Sequence, residues 1–236
     1  MKNALLATAA IAVGSVAMMS AATASPIVHD SIGAFSSIVG LQGKRTDAAG
    51  NPVLNVDPLR STLGNMFGGD LNTIYSLGLG GTGAGGILSF VIAPDTNIIT
   101  SGTVIELTTG GLTGSGHREF ANIFLGVDGG GWQLVGKIGN NATVDATGAV
   151  ADATLGASGA TNNTTFSLTV NSGNYNSIQL VDASIYGPGD DNRDGFDVAE
   201  FKVTSVAVAV PEPASLALLG AGLLGLGLAR RARRAA

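Results

Sequence analysis

The chain has 236 residues, no cysteine, two histidines and 36 glycines, and its net charge is −5. Basic residues are concentrated at the two ends, so the segment from Ser25 to about Val210 holds 7 basic and 16 acidic residues, a net charge of −9. Such a surface repels nucleic-acid phosphates and anionic lipid head groups, which excludes a nucleic-acid-binding protein. A segment of this length buries about 70% of its unfolded surface and needs no disulfides.

The N-terminus has the pattern of a secretory signal peptide. Lys2 is followed by an uncharged, mostly apolar stretch from Ala4 to about Met19 and then by the small residues Ala22-Thr23-Ala24. This order of a positive start, an apolar run and small residues is typical of a cleaved signal. A transmembrane anchor is the alternative, but the run falls short of the roughly 20 apolar residues that span a bilayer. We therefore predict a signal peptide at residues 1–24, cleaved after Ala24.

The middle of the chain is predicted to consist of strands. Short apolar and β-branched runs alternate with clusters of Gly, Asn, Asp and Ser, and no long window shows a helical stripe. This pattern is typical of an antiparallel sandwich. We predict an all-β fold, a jelly-roll-like β-sandwich at residues 25–208. The predicted strands are Gly86–Ala93, Thr103–Thr109, Phe120–Val127, Trp132–Ile138, Thr165–Val170, Ser177–Tyr186 and Phe196–Val208.

Three connecting segments carry their own predictions. The glycines of Val127–Trp132 indicate the tip of a hairpin, because such turns need positive φ angles. Residues 139–164 are small and polar, which predicts a long mobile loop with at most one weak edge strand. A single helical turn is possible near Leu59–Met66.

The C-terminus combines a proline signature, an uncharged run and a basic cluster. Pro211, Glu212 and Pro213 end the last strand, because proline removes a hydrogen-bond donor and fixes φ. Residues 214–229 carry no charge and would be roughly 24 Å long as a helix. The four arginines that follow would hold the C-terminus in the cytoplasm and leave the body outside; they are Arg230, Arg231, Arg233 and Arg234.

The tail at residues 211–236 resembles the PEP-CTERM sorting signal of exported Gram-negative bacterial proteins. The tripeptide, the Leu/Gly/Ala-rich run and the terminal arginines stand in the order of that signal, with a signal peptide at the other end of the chain. The resemblance implies an exosortase-type membrane peptidase as partner, a transient membrane anchor, and delivery to the cell surface or exopolysaccharide matrix. It covers about 26 residues, and proteins with this signal have diverse bodies.

The body is similar to discoidin-like and galactose-binding-like β-sandwich modules. Three segments carry this second resemblance, Tyr75–Gly81, Gly116–Gly136 and Ile178–Val203. It implies a jelly-roll fold and leaves the ligand open.

The segment "GDDNRDGFDVAE" is the densest acidic stretch and a candidate Ca²⁺ loop. Asp190, Asn192 and Asp194 occupy alternate positions before Gly195, as in calcium loops with spaced oxygen ligands. The twelfth position is Phe201 rather than glutamate, so the segment is not an EF-hand. A solvated acidic turn is the alternative interpretation. Three further aspartates are more distant candidate ligands: Asp70, Asp128 and Asp182.

Trp132, the one tryptophan in the sequence, has two interpretations. On a hairpin tip it could stack on a sugar ring, with Tyr186 as a second contact. Its period-two spacing with Leu134 and Ile138 favours packing in the core.

The sequence offers few groups for catalysis. Glu106 and Glu119 could form a glycosidase pair, but scattered strand carboxylates usually face solvent. The glycine motifs at Gly78–Gly83 and Gly111–His117 do not open a helix in a βαβ unit and are not taken as nucleotide sites. We therefore predict that the protein is not an enzyme.

These observations favour an exported cell-surface or matrix protein with a structural or adhesive role associated with exopolysaccharide or biofilm. The alternative is a carbohydrate-binding module in which Trp132 and Tyr186 contact polysaccharide. An exported glycan-active enzyme is a third and weaker candidate.

Overall fold

A computed structural model gives the fold. It describes residues 24–80, 85–92, 97–107, 119–127, 130–140, 142–146, 151–160, 163–185, 193–208, 220, 222–227 and 230–231. The strands are β1 (Ile27–His29), β2 (Phe35–Leu41), β3 (Lys44–Thr46), β4 (Pro52–Asn55), β5 (Tyr75–Ser76), β6 (Ile87–Ile92), β7 (Asn97–Leu107), β8 (Phe120–Gly126), β9 (Trp132–Gly139), β10 (Thr143–Asp145), β11 (Ala153–Ala160), β12 (Asn163–Val170), β13 (Ser177–Asp182) and β14 (Asp197–Ala207). Short 3₁₀ helices lie at Ile32–Ala34, Pro58–Arg60 and Leu63–Met66.

These strands form two six-stranded antiparallel sheets. The first has the order β1-β14-β7-β12-β11, with β5 also paired to β14. The second has the order β10-β9-β8-β13-β6-β2, and β3 and β4 form a separate pair. The prediction of an all-β antiparallel sandwich is confirmed.

The core lies between the two sheets. Strand β6 alternates half-buried and buried residues, so Leu88, Phe90 and Ile92 face inward. Phe90 of the second sheet stacks on Phe201 of the first, with ring centroids 3.8 Å apart and an interplanar angle of 9°. Each fully buried aromatic or aliphatic side chain of this kind contributes about 1.5–3 kcal/mol by leaving water. Inward-facing residues of both sheets thus stabilise one shared core.

The sandwich has two ends with different chemistry. We call one the acidic end; it is formed by the strand termini at Leu107, Phe120, Asp182 and Asp197. We call the other the tail end; it is formed by the strand termini at Asn97, Gly126, Trp132 and Ala207. The long strands run from one end to the other, and β14 runs from the acidic end to the tail end.

The seven predicted strands are confirmed, with shifted bounds. The largest shift is in β7, which begins at Asn97 instead of Thr103, and the last strand begins one residue later than predicted. Trp132 pairs with Gly126 across the predicted β8–β9 hairpin. The suggested helical turn near residues 59–66 is two short 3₁₀ helices.

The prediction of a loop at residues 139–164 was wrong. This segment contains β10, at the edge of the second sheet, and the eight-residue strand β11, at the edge of the first. Strand β11 is built mainly of Ala, Gly, Ser and Thr, and it pairs with β12 along its whole length. The ladder needs no large side chains on β11, because it is formed by backbone hydrogen bonds. The neighbouring strand β12 contributes the large core residues Phe166 and Leu168.

The prediction that Trp132 packs in the core was also wrong. Ile123 pairs with Gly136 and Phe124 pairs with Leu134, so Val135 is an extra residue that forms a β-bulge. The bulge reverses the alternation of side chains along β9. Ile138 is therefore buried, whereas Trp132 is 39% exposed at the tail end.

Candidate functional site

Three carboxylates from two distant parts of the chain meet at the acidic end. Glu119, Asp194 and Asp197 each place one oxygen within 4.8 Å of the others. Their exposed fractions are only 3%, 5% and 2%. Carboxylates buried so completely are rare unless a charge, a hydrogen bond or a metal compensates them.

The backbone around Gly195 positions the two aspartates. Gly195 has φ +84°, and a Cβ on it would lie 2.6 Å from the carbonyl oxygen of Gly78. This left-handed conformation and close approach both require glycine. The Phe196 amide then donates to Asp182 Oδ1 at 2.9 Å, and the Ser76 hydroxyl donates to the Asp194 carbonyl at 2.6 Å. Asp194 and Asp197 are therefore held on either side of a fixed turn.

Asp182 supports this turn from the second sheet. Besides Phe196, its carboxylate accepts hydrogen bonds from the Gly80 amide at 2.7 Å and from the amide and hydroxyl of Ser184. These four donors occupy most of the acceptor capacity of the carboxylate. We therefore assign Asp182 a positioning role in the fold.

Glu119 enters the cluster from the start of β8. Its carbonyl accepts from the Asn140 amide at 3.0 Å, which ties residue 119 to the end of β9. Glu106, the penultimate residue of β7, is fully buried and pairs in register with Val198 and Thr164. Glu106 and Glu119 were expected to face solvent, and this expectation was wrong. Both side chains are buried at the acidic end.

Arg60 partly compensates the negative charge. It ends the 3₁₀ helix Pro58–Arg60, which is capped by Asp57 accepting from the Leu59 amide. Its Nη1 lies 2.9 Å from Asp194 Oδ2 and 3.5 Å from Asp197 Oδ2. Arg193 is also buried nearby and donates from Nη1 to the Ile185 carbonyl at 2.7 Å. In contrast, Asp197 Oδ1 is buried without a hydrogen-bond partner among the described residues.

Burial dominates the electrostatics of the cluster. Desolvation raises the pKa of Glu119 well above its usual value, and the charges of Glu106 and Asp194 raise it further. Desolvation likewise raises the pKa of Asp197, to which Asp194 and Glu119 add, while Arg60 acts in the opposite direction. The cluster therefore favours either a bound proton or a bound cation over three free charges.

The sequence located only part of this site. Asp194 belongs to the cluster, but its partners are Glu119 and Asp197, so the interpretation as a solvated turn is wrong for Asp194. Asp70 lies apart in an exposed turn, where its carboxylate accepts from the amide of Asn72. Other predicted ligands and contacts lie outside the described residues: Asp190, Asn192, Asp128 and Tyr186. Glu119, Asp197 and Arg60 were missed as ligands or counter-charges because only the fold brings them together.

The tail end presents a different surface. Trp132 lies over the Gly126 backbone, where a Cβ would approach its ring carbon Cε3 to 2.8 Å. Beside it is a groove of ≈ 290 Å³ between the sheets, lined by Val127 and Val208 together with Asn97, Asn174 and Asn176. Trp132 does not line this groove; its ring contacts Gly126, the residue before Val127, which does.

Comparison with known proteins concerns the C-terminus, just beyond the tail end. Residues 209–234 match the PEP-CTERM protein-sorting motif. The PEP-CTERM motif implies an exported protein that an exosortase processes. The body has no match among curated proteins.

Few residues of the PEP-CTERM motif lie within the described structure. Residues 222–227 are helical and exposed, as are Arg230 and Arg231. Among the described residues, no helix has the length and apolar character needed to cross a membrane. The remaining predicted sorting residues lie outside the described part of the chain: Pro211, Glu212, Pro213, Arg233 and Arg234.

The raised pKa values predict an unusual pH dependence of stability in metal-free buffer. A carboxyl group whose pKa is higher in the folded than in the unfolded state stabilises the fold when protonated. For Glu119 and Asp197 this stability is fully present below their unfolded pKa values and is lost as pH rises through the folded ones. We expect a higher Tm at pH 5 than at pH 8 in thermal melts with chelator, and each 1 kcal/mol corresponds to about 2–4 °C.

Glu119→Gln removes one of these ionisations, so it should raise the Tm at pH 8 and reduce the pH effect. Asp30→Asn, at an exposed site, is the matched control. A wild-type Tm that falls steadily from pH 8 to pH 5 would contradict the assignment.

Proposed function

We propose that this chain is a non-enzymatic protein of the cell surface or extracellular matrix of a Gram-negative bacterium, with a structural or adhesive role associated with exopolysaccharide or biofilm. The observation that carries the proposal is the PEP-CTERM sorting motif at residues 209–234, attached to an all-β sandwich. The motif supports export and processing, and the rigid two-sheet body supports a structural role.

The proposed route has three steps. The signal peptide at residues 1–24 directs export and is removed after Ala24. The apolar run at residues 214–229 then anchors the chain, with its arginines on the cytoplasmic side. An exosortase-type peptidase finally removes the anchor in the region of Pro211–Pro213 and releases the body.

The position of the ionisable groups supports a non-catalytic body. Within the described residues, the cluster of Glu119, Asp194 and Asp197 has exposed fractions of 5% or less. A polymeric substrate cannot reach side chains that are covered in this way. The two facing antiparallel sheets also support the proposed relation to discoidin-like and galactose-binding-like modules.

Carbohydrate binding is the second candidate function, and the exposure of Trp132 favours it. An indole ring that is 39% exposed is available for stacking on a sugar, whereas a core tryptophan is not. The asparagines of the adjacent groove could supply hydrogen bonds to hydroxyl groups.

We also propose that Ca²⁺ binds at the acidic end. Oxygen atoms at 2.3–2.6 Å from one Ca²⁺ lie up to about 5 Å apart, which accommodates the 4.8 Å limit of Glu119, Asp194 and Asp197. Asp197 Oδ1 is buried and accepts no hydrogen bond from the part of the chain that the structure describes, so it can serve as a ligand atom. Mg²⁺ fits less well, since it requires shorter distances and near-octahedral geometry. Arg60 competes for Asp194, so we expect weak affinity, with a Kd of about 0.1 mM.

Mass spectrometry of the surface-released protein tests the sorting route. We expect an N-terminus at Ser25 and no residues beyond the Pro211–Pro213 region. Detection of Arg234 on the released protein would rule out the proposed processing.

Sedimentation with the producer's own exopolysaccharide separates the two body functions. If the role is carbohydrate binding, the released protein should bind, and Trp132→Ala should weaken binding several-fold, since stacking is worth about 1 kcal/mol or more. Val53→Ala, at an exposed site away from the tail end, is the control. Equal retention of wild type and Trp132→Ala favours a structural or adhesive role that does not use Trp132.

Thermal melting with and without Ca²⁺ tests the metal proposal. At about 2 mM Ca²⁺ and a Kd near 0.1 mM, linkage contributes roughly 1.8 kcal/mol. This corresponds to a rise of about 4–7 °C in Tm for a domain of this size. Glu119→Gln should fold and lose the Ca²⁺ effect, whereas Asp30→Asn should keep it. A wild-type Tm that does not respond to millimolar Ca²⁺ would refute the site.

A further inference from the structure

Several apolar side chains are exposed together at the tail end. Trp132 is 39% exposed, Val127 51% and Val208 42%, and the two valines line the same groove. The edge strand β1 adds Ile27, which is 40% exposed and pairs with Ser205 close to the end of β14. We call Ile27, Val127, Trp132 and Val208 the tail-end surface. Ile27 lies on the opposite lateral edge of this end from Trp132, so these exposed apolar residues are spread across one end of the sandwich, and exposed apolar surface of this kind can mark an interaction site.

Few charged side chains are found among the described residues of this end. One of them is Asp152, which directly precedes β11. The Asp152 carboxylate accepts a hydrogen bond from the Tyr175 hydroxyl at 3.1 Å. The acidic end, by contrast, holds Glu119, Asp194 and Asp197 with their arginines. Asp95 and Asp128 belong to the strand connections at this end and lie outside the described residues, so this contrast between the two ends holds for the described residues.

The tail end is also where the chain would meet the membrane. Only five residues, 209–213, separate Val208 from the apolar run that begins at Ala214. Fully extended, the six Cα–Cα steps from Val208 to Ala214 span at most about 21 Å. Val208 must therefore stay within that distance of the bilayer for as long as the run is inserted. The signal-peptide junction at Ser25 lies two residues before β1, so both processed ends leave the sandwich here.

We propose that the tail-end surface rests on the lipid bilayer while the PEP-CTERM tail is inserted, with Trp132 in the interfacial layer. This inference depends on the proposed membrane anchoring. Trp is enriched at membrane interfaces because its ring is amphipathic, and the valines and Ile27 add apolar contact. The groove asparagines can hydrogen-bond to head groups. The net charge of −9 on the body selects a zwitterionic surface over an anionic one.

Trp132 is the only tryptophan in the sequence, so its fluorescence reports directly on this contact. The full chain is reconstituted into phosphatidylcholine vesicles, with or without lipids brominated near the head group, and vesicle flotation measures anchoring separately. We expect the chain to float, the emission to shift to the blue relative to that of the released body, and brominated lipid to quench most of the fluorescence.

A double variant provides the matched control. Trp132→Phe combined with Ile185→Trp moves the tryptophan to the acidic end, where Ile185 is 53% exposed. This variant should float equally and remain unquenched. Quenching of both variants would mean that the body has no fixed orientation and would overturn the proposal.

A linker variant distinguishes a true docking surface from simple tethering. A Gly/Ser linker of about 20 residues inserted after Ala209 frees the body to move about 25 Å from the anchor. We expect quenching of Trp132 to persist with the linker and to be lost when Val127→Asp is added.

The remaining outcomes are distinguishable. A chain that floats without Trp132 quenching refutes the surface but leaves the anchoring intact. A chain that does not float refutes the anchoring and the surface with it. Blue-shifted emission that depends on protein concentration and not on brominated lipid would assign the tail-end surface to a second copy of the chain.

Discussion

The pairing of β14 with its neighbours is the constraint on which the rest of the structure depends. Strand β14 pairs with β7 on one side and with β1 and β5 on the other. Its inward-facing Phe201 stacks on Phe90 of the opposite sheet. Because β14 runs the full length of the sandwich, its first residues determine the acidic end and its last residues determine where the C-terminal tail leaves.

The acidic end illustrates how a fold maintains an unfavourable arrangement. Burial of Glu119, Asp194 and Asp197 costs free energy that Arg60 and the local hydrogen bonds only partly offset. The turn at Gly195 is nevertheless fixed by backbone contacts with Gly78 and by the Asp182 carboxylate. Because the three carboxylates are buried together, binding of a proton or a cation would lower the free-energy cost of this arrangement.

The sorting motif and the β-sandwich body occupy separate segments of the chain. The PEP-CTERM motif occupies residues 209–234, and its role depends on order and charge along the sequence. Strand β14 precedes the motif in the chain and ends next to Val127, because Val208 and Val127 line the same groove. The connection between β14 and the apolar run is short, so it restricts the orientations that the body can adopt relative to a membrane. The exposed apolar residues lie at the end of the sandwich that this connection would hold near the membrane.

The sequence alone determined the features that depend on neighbouring residues. The sorting signal is a linear order of residue types, and the alternation of apolar and polar residues predicted the all-β fold and seven strands, because side chains of a strand alternate between two faces. The tertiary structure alone decided which strand ends meet. Glu119 and Asp194 are far apart in the chain, and only the order of strands in the sheets brings them together. The position of Trp132 was also decided by the tertiary structure. Strict alternation along β9 predicted that its ring lies in the core, but the β-bulge at Val135 reverses the alternation and leaves the ring partly exposed.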